Sequence, residues 1–581
     1  MSETFQGSEL NQKTILGHPV GLFILFFTEM WERFSYYGMR ALLVLFLTAP
    51  FSENGFEWSR GHALELMALY TGLVYVTPII GGYFADKLMG FRNAVVLGAL
   101  LMTLGHASLA LETNLTFYLG LVLLIFGNGF FKPNISSIVG QMYSEKSKLK
   151  DSAYTIFYMG INAGAFLGIL ICGWYGVNEG WSYGFGLAGV FMFFGMIQFW
   201  FGQQVFGDLA KKPEIKKTKE ISPEEEKNKV PFTSLDTIFF VVGTIAAAVI
   251  LANNVAEVVF KTSLFSNLIN TVGLYLAVGG YLLLIFSRLP RYQKIERDRL
   301  IVISILTFAS IFFWVAFEQA SGTMTIFARD YTDRILTPGL QAQSFLVIDA
   351  LFLFVPLLIL TWLLFKLAQK IFKSTPITIL ATAVSFAIIW VISIYKTNQD
   401  LSVDVLEIPA SWFSSLNSFY IIIFAPLFSY MWTTLSAKGR NPSGPMKFAI
   451  ALFVLALGYI ALAYGSKDIA PGMQTAQVSI VWLILAYLFH TLGELCLSPV
   501  GLSYVNKLSP KRLVGFMFGI WFFASAIGNF MSHKLGSYID EISRESSLSS
   551  FFMIFFIAPT VMAIILALFS KPLKRMMHGV E

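Results

Sequence analysis

Apolar runs of about 18 residues or more, each long enough to cross a hydrocarbon core of about 30 Å as a helix, recur from near residue 20 to near residue 570 of this 581-residue chain. Spans are predicted at 20–48, 62–84, 94–112, 116–139, 153–175, 183–206, 237–255, 267–287, 301–327, 344–365, 375–395, 411–435, 448–465, 477–505, 514–537 and 550–570. That makes about sixteen transmembrane helices and leaves no stretch for a water-soluble domain. Only 13% of the residues are charged, against about a quarter in soluble domains.

Charge placement tests these spans independently. If both termini are cytoplasmic, most of the 41 Lys and Arg fall in the segments that would face the cytoplasm, as the positive-inside rule requires. One span more or fewer would scramble the pattern. The net charge of +6 is therefore topological, set against an anionic inner leaflet, and gives no hint of nucleic-acid binding. The first 19 residues lack the short apolar stretch and small-residue cleavage site of a secretory signal, so the first helix is expected to direct insertion. Cys172 and Cys496 are the two cysteines, both within spans. They offer neither a disulfide framework nor a Cys-rich metal site.

Six spans come first (residues 1–206), followed by a polar stretch at 207–235 with mixed charges and Pro, read as a solvated cytoplasmic linker. A helix pair occupies 236–299. Residues 300–581 hold a second set of six helices with an extra hairpin at about 344–395. Two six-helix bundles with a site between them near the midplane describe the major facilitator architecture, here with about four additional helices.

The densest chemistry lies mid-span in the first helix. At 100° per residue Glu29, Glu32, Arg33, Tyr36, Tyr37 and Arg40 share one face about 140° wide. A charge at bilayer depth costs about 3 kcal/mol or more, so two acids and two bases on one stripe imply mutual pairing and usually a pathway. A structural ion-pair staple is the competing reading. Lys132 and Glu494 have no opposite charge at i±3 or i±4, so each must find its partner on another helix. A cation from the first half and an anion from the second suit a zwitterion between the bundles, or a lock between helices. Glu318 stands mid-helix beside Trp314 and Gln319, a setting for a switchable proton carrier or for a permanently protonated core carboxyl. The amides of Asn162 and Asn417 can read a peptide bond or join helices. His106 and His490 are taken as packing or interhelical hydrogen-bonding residues.

The segment from Glu29 to Gly38 resembles the first-helix signature of the proton-dependent oligopeptide transporter family. Further motifs follow in that family's order. They are Gly81-Gly82-Tyr-Phe-Ala-Asp86-Lys87 with Arg92, Gly127 to Asn134, Phe157 to Gly164, Phe317-Glu318-Gln319, Ser415-Leu-Asn417 with Ala425-Pro426, and Gly493 to Pro499. The resemblance implies a symporter importing di- and tripeptides with protons as the coupling ion and no cofactor. It implies that Glu29, Glu32, Arg33 and Glu318 carry proton coupling. Arg33, Tyr37, Arg40, Tyr75, Lys132, Asn162, Asn417, Glu494 and Trp521 are implied to bind substrate, with Arg33, Arg40 and Lys132 facing its carboxylate and Glu494 its amine. Arg40 with Glu318, Lys132 with Glu494, and Asp86 and Arg92 are implied to gate. The expected setting is the plasma membrane, or the inner membrane of a Gram-negative cell, with the bilayer and a small peptide as partners and no obligatory protein partner.

Departures from the family are local. Ser418 follows Asn417 where many relatives carry Pro, which puts the helix geometry there in question. Ala68 stands where animal members place a His, so coupling is expected to lean on the carboxylates. The 344–395 hairpin is expected to be lipid-facing and without transport function, with Asp349 its only core charge. Free amino acids or small anions such as nitrate are alternative substrates. A channel would need a continuous polar lining and a sensor a soluble output domain. No nucleophile-and-base motif or metal-ligand cluster points to an enzyme.

Overall fold

A computed structural model describes residues 5–144, 147, 149–211 and 230–580. Its helices, in chain order, are α1 (Val20–Thr48), α2 (Arg60–Phe84), α3 (Phe91–Leu109), α4 (Asn114–Gln141), α5 (Lys150–Asn178), α6 (Trp181–Gly202), α7 (Ser234–Phe260), α8 (Asn267–Arg288), α9 (Lys294–Phe317), α10 (Thr323–Asp330), α11 (Leu340–Ile371), α12 (Pro376–Ser402), α13 (Trp412–Ala437), α14 (Gly444–Gly465), α15 (Val481–Leu508), α16 (Val514–Gly536), α17 (Ile539–Glu545) and α18 (Leu548–Met576). Among the described residues fourteen helical segments are long and apolar enough to cross a membrane, with α9 and α10 joined in one of them. The other two expected spans are α1, whose own charges break its apolar run, and α3, which opens on Arg92 and Asn93. Most of the expected linker, residues 212–229, lies outside the described residues.

The first six helices pack as one bundle, α1 against α5 and α6, and α4 against α2 and α3. In the second half α14 packs on α15 and α18, and α9 on α16. The halves meet through α2 with α16 and α5 with α13. The tightest seam is between α1 and α5, where a Cβ on Gly164 would collide with the carbonyl of Met30 and one on Gly168 with that of Phe34. Only glycine lets two helix backbones approach so closely. α1 is consequently buried along almost its whole length, which forces its charged stripe to be satisfied by protein.

The two inserted pairs differ in placement. α7 and α8 pack on each other, and among the described residues the main contact of α7 with the bundle is the edge of α2. The hairpin α11–α12 corrects the sequence reading. It belongs to the second half by chain order, yet α12 packs on α6, and α11 touches α1 and α5. Its outer side is exposed, with Leu351, Leu358 and Phe365 facing outward, as a lipid-facing element requires. Its inner side carries more charge than Asp349. α12 runs on to Ser402, past the expected end at 395, so Lys396 and Asp400 are helical and inside. Lys396 Nζ lies 2.6 Å from Asp349 and 2.7 Å from Asp400. Two short strands, β1 (Ile335–Leu336) and β2 (Leu406–Glu407), pair antiparallel and pin the hairpin's two ends together. The predicted doubt over Ser418 resolves simply, since α13 runs through it as continuous helix.

Candidate functional site: a cavity between the halves

The first half of the α1 stripe, Glu29 to Arg33, condenses into a buried cluster. Arg33 Nε lies 2.9 Å from Glu29 and pairs with Glu32. Asn128 of α4 donates to the other Glu32 oxygen at 3.0 Å. Lys132, one turn further along α4, holds its ammonium 4.3 Å from the centre of the Tyr75 ring. Ion pairs with so little water around them repay their desolvation only when both partners stay in place, and losing one costs about 3 to 5 kcal/mol.

The second charged element comes from a break in a helix. The sequence predicts one span over 301–327. Instead α9 ends at Phe317, a 3-10 turn covers Glu318–Ser321, and α10 begins after Gly322. A Cβ at Gly322 would come within 2.9 Å of both His533 and Leu64, so α2 and α16 close in on the turn. Such turns inside membrane helices are tolerated where other groups satisfy the freed backbone. This one presents Glu318 to Arg40, with which it forms a buried ion pair, and Ser321 Oγ to the same guanidinium at 2.6 Å.

Below this pair a cavity encloses about 1030 Å³ of space, part of it open to solvent. Of the sequence-predicted residues, Tyr37, Arg40, Tyr75, Asn162, Glu318, Asn417 and Glu494 line it together. Asn417 donates to Glu494 at 2.9 Å, holding that carboxylate in the wall of the second half. Arg33 and Lys132 are not among the lining groups, and in this conformation Lys132 and Glu494 keep separate partners. Trp521 is also elsewhere. Its ring lies against Gly501 and edge-on to Phe448, buried between α14, α15 and α16. Arg92 donates to the carbonyls of Gln203 and Gly207 at 2.9 and 2.7 Å, bracing the end of α6, while Asp86 sits in the turn after α2. His106 and His490 are buried, and His490 lines the cavity against Tyr459.

Sequence reading passed over several groups here. Tyr158, Ser414 and Tyr487 line the cavity, and Tyr487 bridges to the carbonyl of Ala320 at 3.1 Å. His533, within a predicted span, meets Ser321 at 3.1 Å. A histidine inside a predicted span was a sufficient signal for it.

Polar ties between the halves concentrate on the face away from the termini. Arg60 of α2 lies 2.7 Å from Asp330 and 3.0 Å from Asp540, Arg329 donates to Thr48 at 2.6 Å, and Lys534 pairs with Glu65. That face is closed over the cavity.

Comparison with known proteins places the chain in a family. The profile of the POT family matches residues 92–389 and 378–551. An uncharacterized transporter, YclF, of Bacillus subtilis is 32% identical, covering 98% of this chain and 97% of its own. The peptide transporter YePEPT of Yersinia enterocolitica is 30% identical over 98% and 97%. A solved POT family transporter in complex with 5-aminolevulinic acid superposes with a TM-score of 0.71 at 27% identity, covering 98% of this chain and 99% of its own. With the profile spanning most of the helical core and relatives aligned from end to end, this chain belongs to the POT family.

Proposed function

We propose that this protein is a proton-coupled symporter that imports di- and tripeptides by alternating access of its two halves. The observation that carries this is the cavity, with Arg40, Tyr37, Tyr75 and Asn162 on the first half facing Glu494 and Asn417 on the second. Opposite charge on opposite walls suits a zwitterion, and amides and phenols between them suit a peptide bond and varied side chains. The named activity of the Yersinia relative supports the substrate class. Lys132 and Arg33, set back from the cavity, act on the substrate carboxylate through field or after a conformational change. Trp521 acts through packing of α15 and α16.

Proton coupling is assigned to Glu29, Glu32, Arg33 and Glu318. Protonation of Glu318 releases Arg40, freeing it for a substrate carboxylate and loosening the closed face. Asp86 and Arg92 steady the opposite ends of their helices as the halves tilt. The protein works in the plasma membrane with both termini cytoplasmic, the closed face outward, and uses no cofactor beyond the proton. A cysteine at Ser374, between α11 and α12, is expected to react only with a membrane-permeant thiol reagent in intact cells, and labelling by an impermeant one would reverse the orientation.

The decisive assay is uptake of a labelled dipeptide into proteoliposomes with and without an inward proton gradient. Accumulation is expected only with the gradient. Glu318→Gln is expected to retain peptide exchange while losing accumulation. Because the neighbour's ligand, 5-aminolevulinic acid, joins an amine and a carboxylate without a peptide bond between natural residues, competition by free amino acids belongs in the same assay. Stronger competition from these than from dipeptides would move the substrate class to amino acids.

A further inference from the structure

The function just proposed assigns no role to His533, yet the closed face is built around it. His533 lies on α16 with no exposed surface. Its Nδ1 is 2.9 Å from the carbonyl oxygen of Asn529, which can only accept, so Nδ1 carries the proton and Nε2 the lone pair. Nε2 meets Ser321 Oγ at 3.1 Å, and that same hydroxyl receives a hydrogen bond from Arg40 at 2.6 Å. A continuous line of contacts thus runs from Glu318 through Arg40 and Ser321 to the imidazole, joining α1, the 3-10 turn and α16.

The surroundings of the ring contain few charges. From α1 the charged group is Arg40, and from the 3-10 turn it is Glu318, which Arg40 holds. α2 presents Thr71, whose hydroxyl is 3.4 Å from Nδ1, and Glu65, which is paired with Lys534, the next residue along α16. Gln319 beside the ring is engaged by the carbonyl of Ser532. No carboxylate among the described residues contacts the imidazole directly.

We propose that His533 is a proton-sensing positioning residue of the closed face, acting on Arg40 through Ser321. With a neutral ring, Ser321 accepts from Arg40 and donates to Nε2. A proton on Nε2 turns that nitrogen into a donor, so Ser321 would face two cationic donors at once and its hydrogen must turn to the Glu318 carbonyl, 3.3 Å away. Two cations sharing one hydroxyl in a dry interface repel, and the closed arrangement is lost. The protonated ring and the closed face exclude one another, so acid shifts the equilibrium toward opening. The step moves one proton onto Nε2 and breaks no covalent bond.

The inference rests on the proposed transport cycle but has its own readout. Spin labels on cysteines at Ser52 and Asp468, exposed on the closed face in opposite halves, report its opening in the full-length protein in lipid nanodiscs. Between about pH 8 and about pH 5, where an imidazole titrates, the wild type is expected to gain a long-distance population. His533→Gln, which keeps a polar side chain without titrating, and Ser321→Ala, which removes the shared hydroxyl, are each expected to lose at least half of that gain. If His533→Gln does not fold, Ser321→Ala decides. A wild-type pH response in either folded variant overturns the proposal, as does an unresponsive wild type. Absence of dipeptide uptake by the wild type would instead refute the proposed substrate while leaving the distance result intact.

Discussion

The pairs α7–α8 and α11–α12 are both apolar hairpins added to a twelve-helix plan, and they are attached in opposite ways. In the most apolar stretches of α7 and α8 only 17% of residues are buried, against 28% in α11 and 44% in α12. The polar contacts of α7–α8 stay within the pair and its flanks: at one end Asp236 meets Arg288 at 3.3 Å, Arg291 at 2.5 Å and Ser287 at 2.9 Å, and at the other Asn253 accepts from the backbone of Leu264 and Phe265 at 2.8 and 2.9 Å. Those of α11–α12 reach into the rest of the protein. Trp174 of α5 donates to Asp400 at 2.8 Å and Trp412 of α13 to Asp349 at 2.9 Å, with Lys396 between the two carboxylates. Each of the four carboxylate oxygens thus has a donor, two of them from helices in different halves. Further along, Thr382 donates to Gln198 of α6 at 2.9 Å, and Phe386 packs edge-on to Phe27 and Trp31 of α1. Insertion of apolar helices is inexpensive in a bilayer because lipid solvates them. Burying charge on one face is what commits an inserted pair to the fold around it.

Replacing residues 340–402 with a short polar linker breaks this comparison most severely. Removal exposes the α6 and α1 surfaces it covers and leaves Trp174 and Trp412 without acceptors. The expected result is loss of monodisperse protein in size-exclusion chromatography and of uptake with it. A folded, transporting deletion would restore the view of the hairpin as a passive lipid-facing element.

Next in size is Lys396→Met, which strands two buried carboxylates and is expected to destabilise by about 3 to 5 kcal/mol, read as a lower melting temperature of the purified protein in detergent. Asp400→Asn leaves Lys396 paired with Asp349 and keeps an acceptor for Trp174, so a cost of about 1 to 3 kcal/mol is expected. Equal losses in the two variants would mean the three groups do not share their charge as the distances imply.

The smallest effect is expected from excising α7–α8. Joining residue 230 to residue 293 is expected to leave both melting temperature and dipeptide uptake near wild type, since the main contact of α7 with the bundle among the described residues is the edge of α2. A large loss of uptake with unchanged melting would give α7–α8 a role in motion that its packing does not reveal.

The contrast also marks what could be read from sequence. Helices stand at all sixteen expected spans, and fourteen segments among the described residues are long and apolar enough to cross a membrane, because lipid imposes one length and one composition on every crossing. The α1 stripe was legible because its groups repeat at helical spacing within one segment. The Asp349, Lys396 and Asp400 cluster was not, because a hydropathy boundary at 395 put two of its members in a loop and the third lies on another helix. The family resemblance implied a substrate-binding Trp521, but whether its ring turns to the cavity or to Gly501 depends on how α15 passes α16. His533 needed no partner information to be noticed, only to be given a role. The break at Glu318 was hidden because Gly322 reads as an ordinary membrane glycine until α2 and α16 are seen to press on it.

The glycine seam between α1 and α5 has a consequence for timing. With no side-chain volume between the two backbones at Gly164 and Gly168, the helices cannot slide or roll independently and behave as one beam. The beam carries Glu29, Glu32, Arg33 and Arg40 on one rail and Asn162 on the other. On the roles proposed above, a tilt that alters the acid–base cluster of α1 displaces the cavity-lining amide of Asn162 in the same instant, so that proton arrival and substrate grip would be geared to a single stroke instead of following one another.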